Sequence, residues 1–83
     1  MIVLAVWDCG CCPAVEALVF NPDPFTPPGS LAEAAACTVA VCFTRDDPAQ
    51  AACQSCGPGV CAHVSAAVAA DTTEQAAAAE RGR

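Results

Sequence analysis

The chain has 83 residues and 55% of them are hydrophobic by type, but 20 of these are alanine and 8 are cysteine, which leaves 18 larger apolar side chains. Leu, Ile, Val and Phe number 16, just below the roughly one-fifth of a chain that usually supports folding by core burial alone, so a disulfide, a metal or a partner is expected to help. Nine acidic and three basic residues give a net charge of −6, which excludes electrostatic binding to nucleic acid or an anionic membrane surface as an expected function.

The first predicted elements are a strand and a short helix. Residues 2–7 form an uninterrupted apolar run rich in β-branched side chains, which is typical of a buried strand. A cysteine-rich turn follows at residues 9–12, and the fixed φ of Pro13 suits the first position of a helix. Residues 14–20 are therefore predicted to be helical. Residues 21–29 contain four of the seven prolines and are predicted to form a loop.

Two capping signatures predict short helices on either side of a second strand. At Ser30 and at Asp47, an oxygen-bearing side chain is followed three residues later by Glu or Gln and then by alanines. Between these two helix starts, the apolar side chains of residues 38–43 alternate as they do in a strand. The two predicted strands are joined through helices, so we expect them to be parallel neighbours.

A longer helix is predicted near the end of the chain. Valines recur at helical spacing across residues 60–68, and a third capping signature at Asp71 indicates a break or bend. Residues 75–83 contain no large apolar side chain and are predicted to form a frayed or disordered acidic, alanine-rich tail. The prediction is a small α+β or minimal α/β domain over residues 1–74. It would contain two short strands, several short helices and a longer C-terminal helix, stabilised by metal or by disulfides.

The strongest motif is a pair of cysteines two residues apart, Cys53 and Cys56, followed by Gly57. Two thiolates at this spacing on a tight turn can bind one tetrahedral ion, and glycine permits the positive φ that such turns often need. This segment resembles the zinc knuckle of zinc ribbons and treble-clef fingers. The resemblance implies a Zn²⁺ ion held by a second ligand pair as well, for which Cys61 and His63 are the nearest candidates, although their spacing differs from that of the family.

Cys61 and His63 do not share a face of a regular helix, because they are two positions apart. Both can bind one ion only if the helix begins after them. If the helix begins at Cys61, only one of the two can be a ligand. Cys61 is the safer ligand, because the start of a helix stabilises a thiolate. The alternatives are ordinary thiols or a disulfide loop, a surface histidine at His63, and an iron–sulfur cluster in place of zinc.

A second cysteine cluster lies between the first predicted strand and the first predicted helix, at Cys9, Cys11 and Cys12. Cys9 and Cys12 form a C-x-x-C motif whose placement resembles the active site of thioredoxin and glutaredoxin folds. That resemblance implies thiol–disulfide redox chemistry with Cys9 as the nucleophile. The same thiols are also a suitable metal clamp, with Cys42 as the fourth ligand if the two predicted strands are parallel neighbours.

The remaining patterns argue against other functions. There is one histidine and no glycine-rich phosphate loop, so hydrolytic or transferase catalysis is not indicated. The longest apolar run, residues 1–7, is shorter than the ~20 residues of a membrane span, and no basic segment marks it as a secretory signal. A cytoplasmic location is therefore expected, where cysteines favour metal or redox chemistry over structural disulfides.

The leading hypothesis is a small cytoplasmic zinc protein that uses the metal structurally and acts as an interaction module for a protein partner. The alternative is a thiol–disulfide redox protein, and a secreted four-disulfide peptide or a chain with no activity of its own also stays open. The predicted metal ligands are Cys53, Cys56, Cys61 and His63 at one site and Cys9, Cys11, Cys12 and Cys42 at the other.

Overall fold

The computed structural model describes residues 1–10 and 13–82 of the chain. Within these residues, five strands form one antiparallel sheet, and two helices accompany it. The elements in chain order are β1 (Ile2–Asp8), β2 (Ala14–Phe20), α1 (Leu31–Ala36), β3 (Thr38–Thr44), β4 (Ala51–Cys53), β5 (Gly57–Pro58) and α2 (Ala62–Arg81). Each strand pairs with its neighbours in sequence, because the strand order in the sheet is the chain order. The domain therefore has more strands and fewer helices than predicted.

β2 occupies the segment that was predicted to be the first helix. Val15, Ala17 and Val19 are fully buried under α2, and the side chains between them point to the other face of the sheet. This alternation with a period of two is the strand pattern, and β1 and β3 supply hydrogen-bond partners on both sides. The helix prediction was wrong because Pro13 is equally suited to the residue just before a strand.

β4 replaces the second predicted short helix. The capping signature at Asp47 forms a tight turn instead, in which the Gln50 N–H donates to the Asp47 carbonyl at 2.9 Å. The next three residues then pair with β3, so that Ala51 lies opposite Phe43. Asp is favoured in turns as strongly as at helix starts, and pairing with β3 outweighs the helix propensity of alanine.

The two strands that the sequence predicted, β1 and β3, are not neighbours. β2 lies between them and is antiparallel to both. The prediction of an adjacent parallel pair is therefore wrong, because the segment taken as a crossover helix is itself the intervening strand.

α1 begins at the predicted cap. Ser30 Oγ accepts a hydrogen bond from the Glu33 N–H at 3.2 Å, and the Glu33 carboxylate accepts one from the Gly29 N–H at 2.6 Å. Leu31 is almost fully exposed, so this short helix depends on its cap more than on burial. Cys37 ends the helix and leads directly into β3, which is the second strand predicted from the sequence.

α2 covers one face of the sheet, and no described element covers the other. It contacts β1 to β4, and its Val64 and Ala67 are fully buried. On the uncovered face, Ile2 and Trp7 are exposed. The buried core consists of Val15, Ala17, Val19, Val41, Phe43, Cys53, Val64 and Ala67.

Of the break or bend predicted at Asp71, the break does not occur, because α2 continues through this residue. Asp71 is buried, and its carboxylate accepts hydrogen bonds from Arg45 Nε at 2.9 Å and Nη2 at 2.8 Å. Arg45 also donates to Asp8 Oδ1 at 2.7 Å. Asp71 and then Asp8 raise the pKa of Arg45 further above its usual value. This ion-pair network joins the end of β1, the end of β3 and the middle of α2.

The last part of α2 lies outside the core. Residues 72–81 are almost entirely exposed, as their lack of large apolar side chains requires. The predicted boundary between a domain at residues 1–74 and a tail at residues 75–83 stays a prediction. Neither described helix combines the length and apolar character needed to cross a membrane.

Candidate metal centre

Three thiols and one imidazole meet where β4, the turn before β5 and the start of α2 come together. His63 Nδ1 lies 3.7 Å from Cys53 Sγ, 3.6 Å from Cys56 Sγ and 3.8 Å from Cys61 Sγ. All four ligand atoms lie within 4.8 Å of one another. Bonds of about 2.0–2.3 Å to a tetrahedral ion separate such atoms by about 3.5–3.8 Å. The group therefore has the composition and the approximate size of a tetrahedral metal site.

The first two candidate ligands come from the predicted knuckle, which is a tight hairpin between β4 and β5. Cys53 is buried and pairs with Gly57 across this hairpin, while Cys56 lies exposed in the turn. Gly57 has a φ of 85°, in the region that favours glycine, as the sequence predicted. Gln54 anchors the turn to β3 by donating its N–H to the Ala40 carbonyl at 2.9 Å and accepting the Ala40 N–H on Oε1 at 3.2 Å.

The other two ligands come from the start of α2. Cys61 is the residue before the helix and has an extended backbone, with φ −134° and ψ 179°, while His63 is the second helical residue. The extended conformation places the Cys61 thiol beside His63 Nδ1, despite their unfavourable spacing on a regular helix. The sequence predicted that Cys61 and His63 can approach one ion only if both precede the helix. This condition was too strict, because it is sufficient that Cys61 precedes it.

The thiols of the site differ in acidity. The backbone N–H of Val64, in the first turn of α2, is the main cause that lowers the pKa of Cys61 to about 6, helped by His63 and opposed by burial. Cys56 shows the opposite effect, because its hydrogen bond to Cys61, followed by desolvation, raises its pKa to about 11. The site without a metal therefore holds one preferred thiolate, as predicted for Cys61, beside a protonated thiol at Cys56.

The second predicted site is not assembled by the described residues. Cys11 and Cys12 lie outside them, Cys9 directly follows β1, and Cys42 lies in β3 opposite Glu16 on the uncovered face. β1 and β3 are two strand spacings apart, which is about 10 Å. Within the described part of the chain, the group around His63 is the only one with three or more candidate ligands in reach of each other. A second metal site stays a prediction.

One argument for the redox alternative, a helix directly after the C-x-x-C motif, does not hold. The resemblance to thioredoxin folds depends on a helix after the C-x-x-C motif, but the chain continues into β2. Whether Cys9 and Cys12 act as a redox pair stays a prediction, because Cys12 lies outside the described residues. Among the described cysteines, Cys37, Cys42, Cys53, Cys56 and Cys61 are free thiols.

One polar neighbour of the site was not found from the sequence. The side chain of Asn21, the first residue after β2, places Nδ2 3.4 Å from His63 Nε2, on the opposite edge of the ring from the thiols. Asn21 is the only asparagine of the chain and lies in the proline-rich loop, but no local pattern connects it with a residue 42 positions away.

No protein-family model, curated protein or solved structure matches this chain. The conclusion on function therefore depends on the four ligand atoms and the elements that hold them.

Proposed function

We propose that this protein binds one Zn²⁺ ion through Cys53, Cys56, Cys61 and His63, that the metal is structural, and that the protein is an interaction module. The observation that carries the proposal is the approach of three Sγ atoms to His63 Nδ1 at 3.6, 3.7 and 3.8 Å. Three soft thiolates and an imidazole suit zinc and disfavour magnesium and calcium, which prefer oxygen ligands.

A structural role follows from the number of protein ligands. Four protein ligands fill a tetrahedral zinc shell and leave no position for a water molecule or a substrate, which a catalytic zinc site needs. The ligands also belong to separate elements, since Cys53 ends β4 and Cys61 precedes α2. The ion would therefore hold the start of α2 against the edge of the sheet. In a domain with so few large buried side chains, its binding energy would contribute directly to folding.

The interaction role is supported by the uncovered face of the sheet. No described element covers the face that carries Ile2 and Trp7, both of which are exposed, and Leu18 between them is half-buried. Contiguous exposed apolar side chains commonly mark contact with another protein. The identity of the protein partner and the cytoplasmic location stay predictions from the sequence.

Native mass spectrometry combined with circular dichroism tests the metal site. Protein purified under reducing conditions should carry the mass of one zinc ion, and a strong chelator should remove both this mass and most of the helical signal. Protein that takes up no zinc would contradict the site, and an unchanged spectrum after complete zinc removal would contradict the structural role.

A pair of cysteine variants separates ligation from a general effect of losing a thiol. Cys56→Ser should weaken zinc binding by more than about 100-fold, the upper end for an outer-shell partner, because it removes a direct ligand. Cys37→Ser removes a free, half-buried thiol outside the site and should leave zinc affinity unchanged. Equal affinities of the two variants, measured by competition with a chelator of known strength, would contradict the proposed ligand set.

A further inference from the structure

Asn21 lies against the side of the His63 ring that faces away from the thiols. Its Nδ2 is 3.4 Å from His63 Nε2, whereas Nδ1 of the same ring faces Cys53, Cys56 and Cys61. The position of Asn21 is fixed by its backbone, whose N–H donates to the carbonyl of Cys37 at 2.9 Å. The carboxamide is therefore held where it can interact with the imidazole nitrogen that does not face the ligand group.

The chemistry of imidazole gives this contact a consequence for metal binding. A neutral imidazole carries one proton, so a ring that binds zinc through the lone pair of Nδ1 must carry that proton on Nε2. Nε2 then becomes a donor and needs an acceptor. A half-turn of the Asn21 amide presents Oδ1 in place of Nδ2 without moving the backbone, because the two ends of a carboxamide have nearly the same shape.

Without a metal, the hydrogen bond between Asn21 and His63 can run in the opposite direction. A ring with its proton on Nδ1 can donate to Cys61 Sγ, 3.8 Å away, and its Nε2 can then accept from Asn21 Nδ2, which lies 3.4 Å from it. The same side chain can thus satisfy Nε2 in both states, as a donor without the metal and as an acceptor with it.

We propose that Asn21 is a positioning residue of the zinc site, which fixes the ring orientation of His63 and the tautomer that leaves Nδ1 free to bind the ion. This inference rests on the proposed zinc-binding function. An acceptor that hydrogen-bonds the free ring nitrogen of a metal-binding histidine orients the ring and raises the basicity of the ligand nitrogen. Asn21 performs this role from a loop that contributes no ligand of its own.

Zinc affinity of Asn21 variants provides the first test. Asn21→Leu keeps the approximate size of the side chain but removes its hydrogen bonds, and it should weaken zinc binding by about tenfold, the lower end for an outer-shell partner, because Asn21 is exposed. Asn21→Asp retains an acceptor for the Nε2 proton and should bind zinc at least as tightly as the wild type. Unchanged affinity in Asn21→Leu would overturn the proposal.

A double-mutant cycle separates positioning from a structural role. In the His63→Ala background the three thiolates remain, and the further change Asn21→Leu should have no effect on zinc affinity if Asn21 acts only through the ring. The same tenfold loss in both backgrounds would show that Asn21 supports the fold and would overturn the proposal.

A direct measurement covers the case in which a variant does not fold. Long-range proton–nitrogen correlation spectra of the zinc-loaded wild type should show His63 bound to the metal through Nδ1, with a protonated Nε2. Binding through Nε2 would overturn the role of Asn21 while leaving a zinc site intact. A wild-type chain that takes up no zinc would overturn the proposed function and this inference together.

Discussion

At the scale of single residues, the site has two thiols with opposite proton affinities. Folding places Cys61 beside the first amides of α2 and lowers its pKa from 9.0 to about 6, whereas contact with Cys61 raises the pKa of Cys56 from 9.0 to about 11. The two shifts are linked but differ in their main cause, because the Val64 N–H lowers the pKa of Cys61 and the hydrogen bond to Cys61 raises that of Cys56. A metal ion bound between the two sulfur atoms would displace the proton of Cys56, because a metal binds the thiolate form.

These shifts predict how the stability of the zinc-free protein depends on pH. The lowered pKa of Cys61 stabilises the fold fully above pH 9.0, and this contribution is lost as the pH falls through about 6. The raised pKa of Cys56 stabilises the fold below pH 9.0, and this contribution is lost as the pH rises through about 11. The contribution of the two thiols to stability should therefore be largest near pH 9.0.

The fraction of zinc-free protein that stays folded follows this profile, and it is measured from the helical circular-dichroism signal that remains in a chelator at each pH. Cys61→Ser should remove the rise of stability between pH 6 and pH 9, since serine does not ionise in this range. Cys37→Ser is the control and should keep the rise. A profile that is the same in the wild type and in Cys61→Ser would contradict the assignment of the low pKa to Cys61.

The knuckle makes a second prediction at the residue scale. Gly57 has a φ of 85°, and a Cβ added there would meet no atom within 4 Å, so alanine at this position would suffer backbone strain without a steric clash. Gly57→Ala should therefore lower the free energy of unfolding of the zinc-loaded protein by about 1 kcal/mol. A Cβ added at Gly10 also meets no atom of the described residues within 4 Å, and Gly10 has no positive φ, so Gly10→Ala should be close to neutral. Equal effects of the two changes in urea unfolding would contradict the prediction.

The sequence predicted the four candidate ligands that lie together better than it predicted their surroundings. The spacing of Cys53 and Cys56 shows the knuckle within a five-residue window, and Cys61 and His63 follow close behind. Whether the last two can act together depends on the backbone of one residue at the helix start, which no spacing rule determines. The contact of Asn21 with His63 joins residues 42 positions apart, and such a contact is set by tertiary packing.

At the scale of elements, α2 is attached to the sheet at two points. The group of Cys53, Cys56, Cys61 and His63 joins its first turn to the edge of the sheet, and the Arg45–Asp71 ion pair holds its middle. The side chain of Asp71 is 6% exposed, whereas that of Asp8, the second partner of Arg45, is 70% exposed. The two ion pairs of Arg45 should therefore differ strongly in energy, because solvent screens only the exposed one.

Two substitutions test this difference. Arg45→Leu leaves the buried carboxylate of Asp71 without a counter-charge and should cost about 2–3 kcal/mol, below the full effect of a buried pair because the arginine itself is 36% exposed. Asp8→Asn removes only the exposed pair and should cost less than about 1 kcal/mol. Similar losses in urea unfolding of the zinc-loaded variants would contradict the view that Asp71 is the main anchor.

Helices and strands whose own residues show a clear periodicity were predictable. Strands that form only because they pair with neighbouring strands were not. β3 and α2 carry clear alternation and helical spacing, and both were predicted. β2 was not, because Val15, Ala17 and Val19 alternate within a segment that also contains good helix formers, and only pairing with β1 and β3 decides between the two. β4 contains two alanines and a cysteine, so its strand character comes entirely from pairing with β3.

At the scale of the whole molecule, the shortage of large apolar side chains is visible in the structure. α2 covers a single face of the sheet, and the largest fully buried side chains are Phe43, Val15, Val19 and Val64. Of the larger apolar residues, Ile2, Leu4 and Trp7 remain exposed on β1. A domain with one helix on one sheet face buries little apolar surface for its length, so an added ion can decide whether it is folded.

The dependence of stability on free zinc measures the coupling between zinc binding and folding. Its slope also gives the number of zinc ions bound. If one Zn²⁺ binds only the folded state, each tenfold rise in free zinc above the dissociation constant should add about 1.4 kcal/mol to the free energy of unfolding. Two ions, with the second at the predicted site of Cys9, Cys11, Cys12 and Cys42, would double this slope. The group of four candidate ligands, which is three cysteines and His63, predicts the single-ion slope in urea unfolding with zinc-buffered solutions. Cys56→Ser should shift the response to higher zinc concentrations, and a slope of zero in the wild type would show that the fold does not depend on the metal.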